Sequence, residues 1–310
     1  MDRREIKQVM LRIGVAALSL AVAAVALNYA LRGLDWPSFQ RSLALLDWRW
    51  LVVAVVFDVL SYGAQGLRWS FLLDGSTAWR TTRAIYAGLF VNEIIPLRPG
   101  EAVRAWLAAR DLETGVWNIV PSMVSERLID GFWLVAALIA ALSLAPLPSS
   151  VIHAIWIVVA IVCPLALAAW YLSGRLGSFL QKVILGLQNW NAVMLSACFL
   201  LAQGLAFWAV ARASHLSLSL LAAFVVMIVV RVGTLIPGAP ANLGTHQFST
   251  VLGLSMYGIA QTEAAAFSLI VFAVLTLPLL VLGLCACFSA GLTWRRVRQL
   301  ATTKGAASAD

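Results

Sequence analysis

Long apolar runs alternate with short polar ones along the chain, and the apolar runs are longer than a soluble core requires. Stretches over 13–31, 50–73, 116–145, 151–172, 191–213 and 262–288 are almost continuously hydrophobic. At about 1.5 Å rise per residue, such lengths match a hydrocarbon layer about 30 Å thick. The pattern predicts about six transmembrane helices. Two further stretches, 84–112 and 216–258, are apolar but interrupted by Pro and Gly. The first interruption reads Ile95-Pro96-Leu97-Arg98-Pro99-Gly100, the second Ile236-Pro237-Gly238-Ala239-Pro240-Ala241. Their halves are short or punctuated, so each stretch predicts a re-entrant helical hairpin that returns to the side it came from.

The two interruptions share the pattern I-P-x-x-P. Each hairpin follows one span and precedes another, and an odd number of spans separates them, so they enter from opposite faces. That arrangement is an inverted repeat, with halves at about 50–145 and 191–288. In transporters built this way, the broken segments meet near the midplane and form the binding site. Ordinary Pro-kinked transmembrane helices are the competing explanation. The expected fold is all-α and polytopic: one membrane domain over 1–292, then a basic tail over 293–310.

Composition narrows the class. Of 310 residues, 62% are hydrophobic and only 12% charged, and mean hydropathy is +0.90. A soluble enzyme, a secreted disulfide scaffold and a disordered chain are excluded. The net charge of +8 would suit nucleic acid only if it lay along one soluble face; here the basic residues sit at membrane edges and inside apolar segments. Lys and Arg concentrate in four places: Arg3, Arg4, Lys7 and Arg12; Arg80 and Arg83; Arg175 and Lys182; and Arg295, Arg296, Arg298 and Lys304. The positive-inside rule makes these segments, and hence both termini, cytoplasmic. The segments 33–49, 144–150 and 212–217 are then loops on the other side. The first apolar run has no small-residue cleavage site after it and is expected to remain as a span. Cys163, Cys198, Cys285 and Cys287 all lie in apolar stretches without metal-ligand spacing, so no metal is expected.

A charge at the bilayer centre costs at least about 2.5 kcal/mol, so each one needs a partner or a wet cavity. The inner set is large: Arg68, Arg98, Arg104, Arg127 and Arg231, against Asp58, Glu93, Glu101, Glu126, Asp130 and Glu263. Most fall between Asn92 and Asp130. Glu101 and Arg104 are three apart on one helix and close enough to pair, while Arg98 sits at the break. The helix starting near Pro99-Gly100 points its free N–H groups inward, and an arginine beside such an end suits phosphate. Glu126 and Asp130, four apart, share a face and are placed to balance arginines when no ligand is bound. The second hairpin adds Arg231 before its break and Asn242, Thr245, His246 and Gln247 after it. A purely structural network would pair Glu101 with Arg104, Glu126 with Arg127, and Asp58 with Arg68. The concentration of arginines beside breaks favours a site.

The stretch Gly88-x-x-x-Asn92-x-x-x-Pro96-x-Arg98-x-Gly100-Glu101-x-x-Arg104-x-x-Leu107, followed by Glu126-Arg127-x-x-Asp130, resembles the signature of the lysylphosphatidylglycerol synthase transmembrane, or flippase-like, family. That family includes the flippase half of multiple-peptide-resistance proteins, hopanoid-associated homologues and membrane regions fused to polyprenyl-phosphate glycosyltransferases. The resemblance covers roughly 10–292. A second family motif, P-G-G-x-G-x-x-E, is represented by Pro240-Ala241-Asn242-Leu243-Gly244-Thr245-His246-Gln247, in which two glycines and the acid are replaced. Only a short polar tail follows Trp294, so the aminoacylating activity of fused relatives is not carried over.

The resemblance implies movement of an anionic phospholipid or a polyprenyl-phosphate-type lipid between the leaflets of a bacterial inner membrane. Under that reading Arg98, Arg104, Arg127 and Arg231 meet the phosphate. Asn92, Glu93, Glu101, Glu126, Asp130, Asn242 and His246 supply polar and ionic balance. Pro96, Pro99, Gly100, Pro237, Gly238, Pro240 and Gly244 make the breaks. The expected partners are the lipid itself and a lipid-modifying or glycosyltransferase protein. No cofactor is expected, and no phosphate-cradling G-x-x-x-x-G-K-[ST] loop is present to bind ATP. Two other classes fit the same residues less well: a membrane-embedded transferase or hydrolase acting on a lipid phosphate, and a scaffold for a lipid- or glycan-synthesis partner.

Overall fold

A computed structural model describes Gly14 and residues 20–32, 34–95, 99–144, 177–235 and 240–293. The expected span at 151–172, the break residues Pro96, Arg98, Pro237 and Gly238, and the charged residues of both termini lie outside this set. Every regular element among the described residues is helical. The helices are α1 (Leu20–Leu31), α2 (Trp36–Ala44), α3 (Trp48–Leu72), α4 (Ala78–Ile94), α5 (Gly100–Asp111), α6 (Val116–Leu144), α7 (Gly177–Gln188), α8 (Trp190–Ala213), α9 (Leu220–Gly233), α10 (Thr245–Ser255) and α11 (Gln261–Ser289), with a short 3-10 turn at Pro240–Asn242.

Three of these helices, α3, α8 and α11, are long and apolar enough to cross a membrane. At 29 residues α6 equals α11 in length, but carries Glu126, Arg127 and Asp130. The chain is an all-helical, multi-pass membrane protein. Large apolar side chains such as Val52, Val56, Leu60, Leu277, Val281 and Phe288 face outward, as lipid contact requires and water does not favour.

The ends of these helices are set by local chemistry. Asp47 opens α3 by accepting the N–H of Arg49 at 2.9 Å, Asn189 opens α8 by accepting that of Ala192 at 3.2 Å, and Ser219 opens α9 by accepting that of Ala222 at 3.1 Å. Each satisfies a backbone donor that has no partner within the helix.

Two segments expected to be loops are helical. Residues 33–49 contain α2, started by Asp35, which accepts both the N–H and the hydroxyl of Ser38; these bonds hold the Asp35 carboxyl below the usual carboxylate range. The segment carrying Lys182, expected as a cytoplasmic connection, contains α7, which packs on α6. The charges that marked these segments as loops are compatible with short helices lying along a membrane edge.

The longest packed pair, α3 with α8, is antiparallel. The N–H of Asp47 reaches the carbonyl of Ala213, Trp50 stacks edge-on against Trp208, and at the other end Asn189 donates to the carbonyl of Phe71. Exposed tryptophans mark both ends: Trp36 and Trp48 at one, Trp79, Trp117 and Trp190 at the other. Two such girdles are what headgroup-level anchoring produces.

The two interrupted stretches form two broken, antiparallel helix pairs. In the first, α4 runs to the break and α5 runs back, so that Arg83 at the start of α4 meets Asp111 at the end of α5 at 2.5 Å. In the second, α9 and α10 pack with Gly233 against Ser249 and Gly253 against Val226. The first pair begins at the Phe71/Asn189 end of the α3–α8 pair, the second at the Asp47/Ala213 end. Each has its own apolar cluster. Trp69, Ile85, Val103 and Leu107 centre the first; Phe207, Val226, Leu254 and Phe267 centre the second. Helix α11 contributes to both.

Close backbone approach makes the first turn-back possible. A Cβ on Gly100 would lie 1.8 Å from the carbonyl oxygen of Gly88, so only glycine fits. Gly244, at the second break, has a φ of 89°, a left-handed conformation that suits glycine.

Candidate functional site

The tips of both broken pairs meet at one cavity of about 270 Å³. The first pair supplies Gly88, Asn92, Glu93, Gly100, Glu101 and Arg104; the second supplies Arg231, Thr234, Ala241, Asn242 and His246; α3, α6 and α8 add Asp58, Gln65, Arg127 and Gln203. The cavity therefore gathers Asn92, Glu93, Glu101, Arg104, Arg127, Arg231, Asn242 and His246 from the set named on sequence grounds. Glu126 and Asp130 stand behind its wall. Gly244 belongs to the second break, whereas Arg98, Pro96, Pro237 and Gly238 fall outside the described residues.

At each break a side-chain amide oxygen caps the returning arm, supplied by the outgoing arm in the first and by the returning arm itself in the second. Asn92 Oδ1 accepts the N–H of Gly100 at 2.7 Å, and Gln247 Oε1 accepts the N–H of Gly244 at 2.7 Å. Backbone donors orphaned where each returning arm starts are thereby satisfied. The helix end at Gly100 is thus not fully free for an anion, contrary to the expectation from sequence, because Asn92 reaches across the break to take its first N–H. Gln247 occupies the position where the resembling motif has an acid, and its amide oxygen serves as an acceptor as a carboxylate would. The same side chain is fully buried, and its Nε2 has no hydrogen-bond partner.

Behind the cavity lies a buried ionic network. Glu126 is fully buried and links two arginines: Arg68 at 2.5 Å, and Arg104 through two bonds of 3.1 and 2.9 Å. Arg68 also binds Asp130 and Ser196 at 2.7 Å. Arg104 lies 4.4 Å above the ring of Trp69 and reaches Glu101 at 3.4 Å. Arg127 is held by Glu101.

The structure confirms the Glu101–Arg104 pair expected from sequence and replaces the other two. Arg68 cannot reach Asp58, because ten residues of helix separate them by about 15 Å. Arg127 points away from its neighbour Glu126, since adjacent residues lie on different helix faces. Glu126 and Asp130 do share a face, and both use it to hold Arg68.

Arg231 differs from the other inner arginines. Its Nη2 donates to the neutral amide oxygen of Gln203 at 2.8 Å, and its guanidinium stacks 4.6 Å from the Phe199 ring. Among the described residues no carboxylate lies within ion-pair distance of it, and its Nε is buried without a partner. Gln203, which sequence reasoning missed, also donates to Asp58 at 3.3 Å and to Ser61 at 3.1 Å. Its signal was an amide inside an apolar run, subject to the same cost of burial as the charges that were considered. His246 stacks edge-on 5.4 Å from Phe272, and its Nδ1 is unpartnered. His215, by contrast, lies far from the cavity and bonds the carbonyl of Leu45. Among the described residues no group of His, Cys, Asp and Glu is arranged to hold a metal ion.

A multi-pass helical membrane protein with two oppositely directed broken helix pairs, meeting at a charged internal cavity, is the class this architecture defines. The chain belongs to the lysylphosphatidylglycerol synthase TM region family, whose model matches residues 16–283. No curated protein and no solved structure matches it.

Proposed function

We propose that this protein moves a lipid with an anionic head group between membrane leaflets, the phosphate resting on Arg231 in the central cavity while the acyl or prenyl tails stay in lipid. The observation that carries the reading is the state of Arg231: a cavity-lining guanidinium held by a neutral amide, whereas Arg104 and Arg127 are already matched by carboxylates. A guanidinium in a water-poor site, with donors to spare, is suited to a phosphate. The broken pairs act in this reading as re-entrant hairpins from opposite faces. The family supports a lipid-handling role; head-group transport without chemical turnover, and residence in a bacterial inner membrane with both termini cytoplasmic, are parts of this proposal. A lipid-modifying or glycosyltransferase protein is the partner it implies.

The test is translocation of labelled lipids in proteoliposomes, comparing anionic with zwitterionic head groups of equal chain length. The anionic lipid is expected to cross faster than in protein-free vesicles, and the zwitterionic one is not. Equal rates for the two lipids contradict an anion-selective site, and release of a modified lipid product makes the protein a transferase or hydrolase instead.

A further inference from the structure

The cavity holds an acid that has no ion-pair contact among the described residues. Asp58, on α3, is 1% exposed, and among the described residues its carboxylate accepts one hydrogen bond, from the Gln203 amide at 3.3 Å. By contrast, Glu101, Glu126 and Asp130 are each matched by at least one arginine. A carboxylate taken out of water keeps its charge only while a cation shares its site.

Gln203 joins Asp58 to Arg231. Its Nε2 faces the carboxylate and its Oε1 faces the guanidinium, so acid, amide and arginine form one row across α3, α8 and α9. Positive charge from Arg231 is what the carboxylate has near it. A phosphate docked on Arg231 cancels that charge, and the carboxylate is left buried without compensation.

On the reading of the cavity as an anionic-lipid site, we propose that Asp58 binds a proton each time a phosphate docks on Arg231, so that head group and proton cross together. A phosphodiester and a proton sum to zero charge, and the membrane potential then does no work on the pair. Other groups near the row do not replace Asp58. Tyr62 follows it by one turn on α3 and lines the same cavity, and Tyr86 on α4 packs against the Tyr62 ring; neither is a carboxylate or an imidazole. Helix α4 also brings Glu93 to the same cavity, and α6 brings Arg127, which Glu101 holds. Helix α8 contributes Phe199, Gln203 and Phe207, and α11 contributes Phe272, Leu275, Thr276 and Leu279, none of which carries a charge. Glu93, the arginine-matched Glu101, and His246 on α10, whose Nδ1 is buried without a partner, are the competing proton acceptors on the described wall.

Linkage makes the proposal measurable, because an anion that favours protonation is itself favoured by it to the same degree. The full chain, purified in detergent and weak buffer with a pH-indicator dye, is titrated with short-chain phosphatidylglycerol, whose phosphodiester exchanges no proton near neutral pH. Uptake of about one proton per lipid bound is expected, with the apparent Kd weakening by about tenfold per pH unit on the alkaline side. Asp58→Asn removes both the uptake and the slope. Glu93→Gln and His246→Gln change affinity but leave the stoichiometry, and these arms, with the wild-type uptake, decide the matter even where Asp58→Asn yields no folded protein. Lipid binding by the wild type without proton uptake overturns the proposal alone. Uptake that persists in folded Asp58→Asn, or disappears in Glu93→Gln or His246→Gln, also overturns it. Absence of any lipid binding by the wild type overturns it together with the reading of the cavity.

Discussion

Asn92 reaches across the first break to Gly100, its Oδ1 accepting the glycine N–H at 2.7 Å. That one bond fixes where α4 stops and α5 starts. Asn92→Ala leaves the partly buried Gly100 N–H without a partner and is expected to lower stability by about 1–3 kcal/mol. Asn92→Asp keeps an acceptor and loses less. Thermal unfolding in detergent or nanodiscs orders the three proteins, and equal unfolding of wild type and Asn92→Ala argues against the closure.

Gly100→Ala is the steric counterpart. Its new Cβ would meet the Gly88 carbonyl at 1.8 Å, which forces the two arms apart at a cost of about 1–3 kcal/mol or more for an overpacked contact. A lower yield of monodisperse protein and an earlier unfolding transition are the expected readouts. An unchanged transition means that the arms do not touch there.

Removing the charge of Glu126 is expected to be far more damaging than removing that of Glu101. Glu126→Gln leaves Arg68 with Asp130 as its one carboxylate and Arg104 with the 3.4 Å contact to Glu101, and removing the shared buried charge costs up to about 3–5 kcal/mol. Glu101 is 39% exposed, so Glu101→Gln costs about 1 kcal/mol or less. Comparing the two unfolding midpoints checks the ordering; similar losses refute the distinction between inner network and cavity rim.

The opposite directions of the two broken pairs predict sidedness. In a background with the four native cysteines replaced by alanine, Ser76→Cys and Gly115→Cys are expected to react with a membrane-impermeant maleimide from the cytoplasmic side. Leu45→Cys and Ser217→Cys are expected to react from the other. Labelling of all four from one side contradicts the arrangement.

Much of the fold was legible because hydrophobic length is a strong signal. The expected spans 50–73, 116–145, 191–213 and 262–288 correspond to α3, α6, α8 and α11 within a few residues, and Pro and Gly located both breaks. Helices α2 and α7 were not legible, since short segments with charges read equally well as loops. For the site, residue types were legible but pairings were not. Arg68 finds Glu126 and Asp130 from another helix, a long-range choice made by packing that local spacing does not encode. Gln203 escaped notice because it carries no charge, although its amide is what separates Arg231 from Asp58.

Lipid translocation by Arg231 variants tests the central claim most directly. Proteoliposomes containing wild type, Arg231→Ala or Arg231→Lys, matched for protein content and unfolding midpoint, are compared with a labelled anionic lipid. Loss of a charge-assisted hydrogen bond worth about 1.5–3 kcal/mol corresponds to a fall of roughly 10- to 100-fold for Arg231→Ala. Arg231→Lys falls in between, because an ammonium keeps the charge but neither the paired donors nor the stacking on Phe199. An Arg231→Ala rate equal to that of wild type would contradict the account.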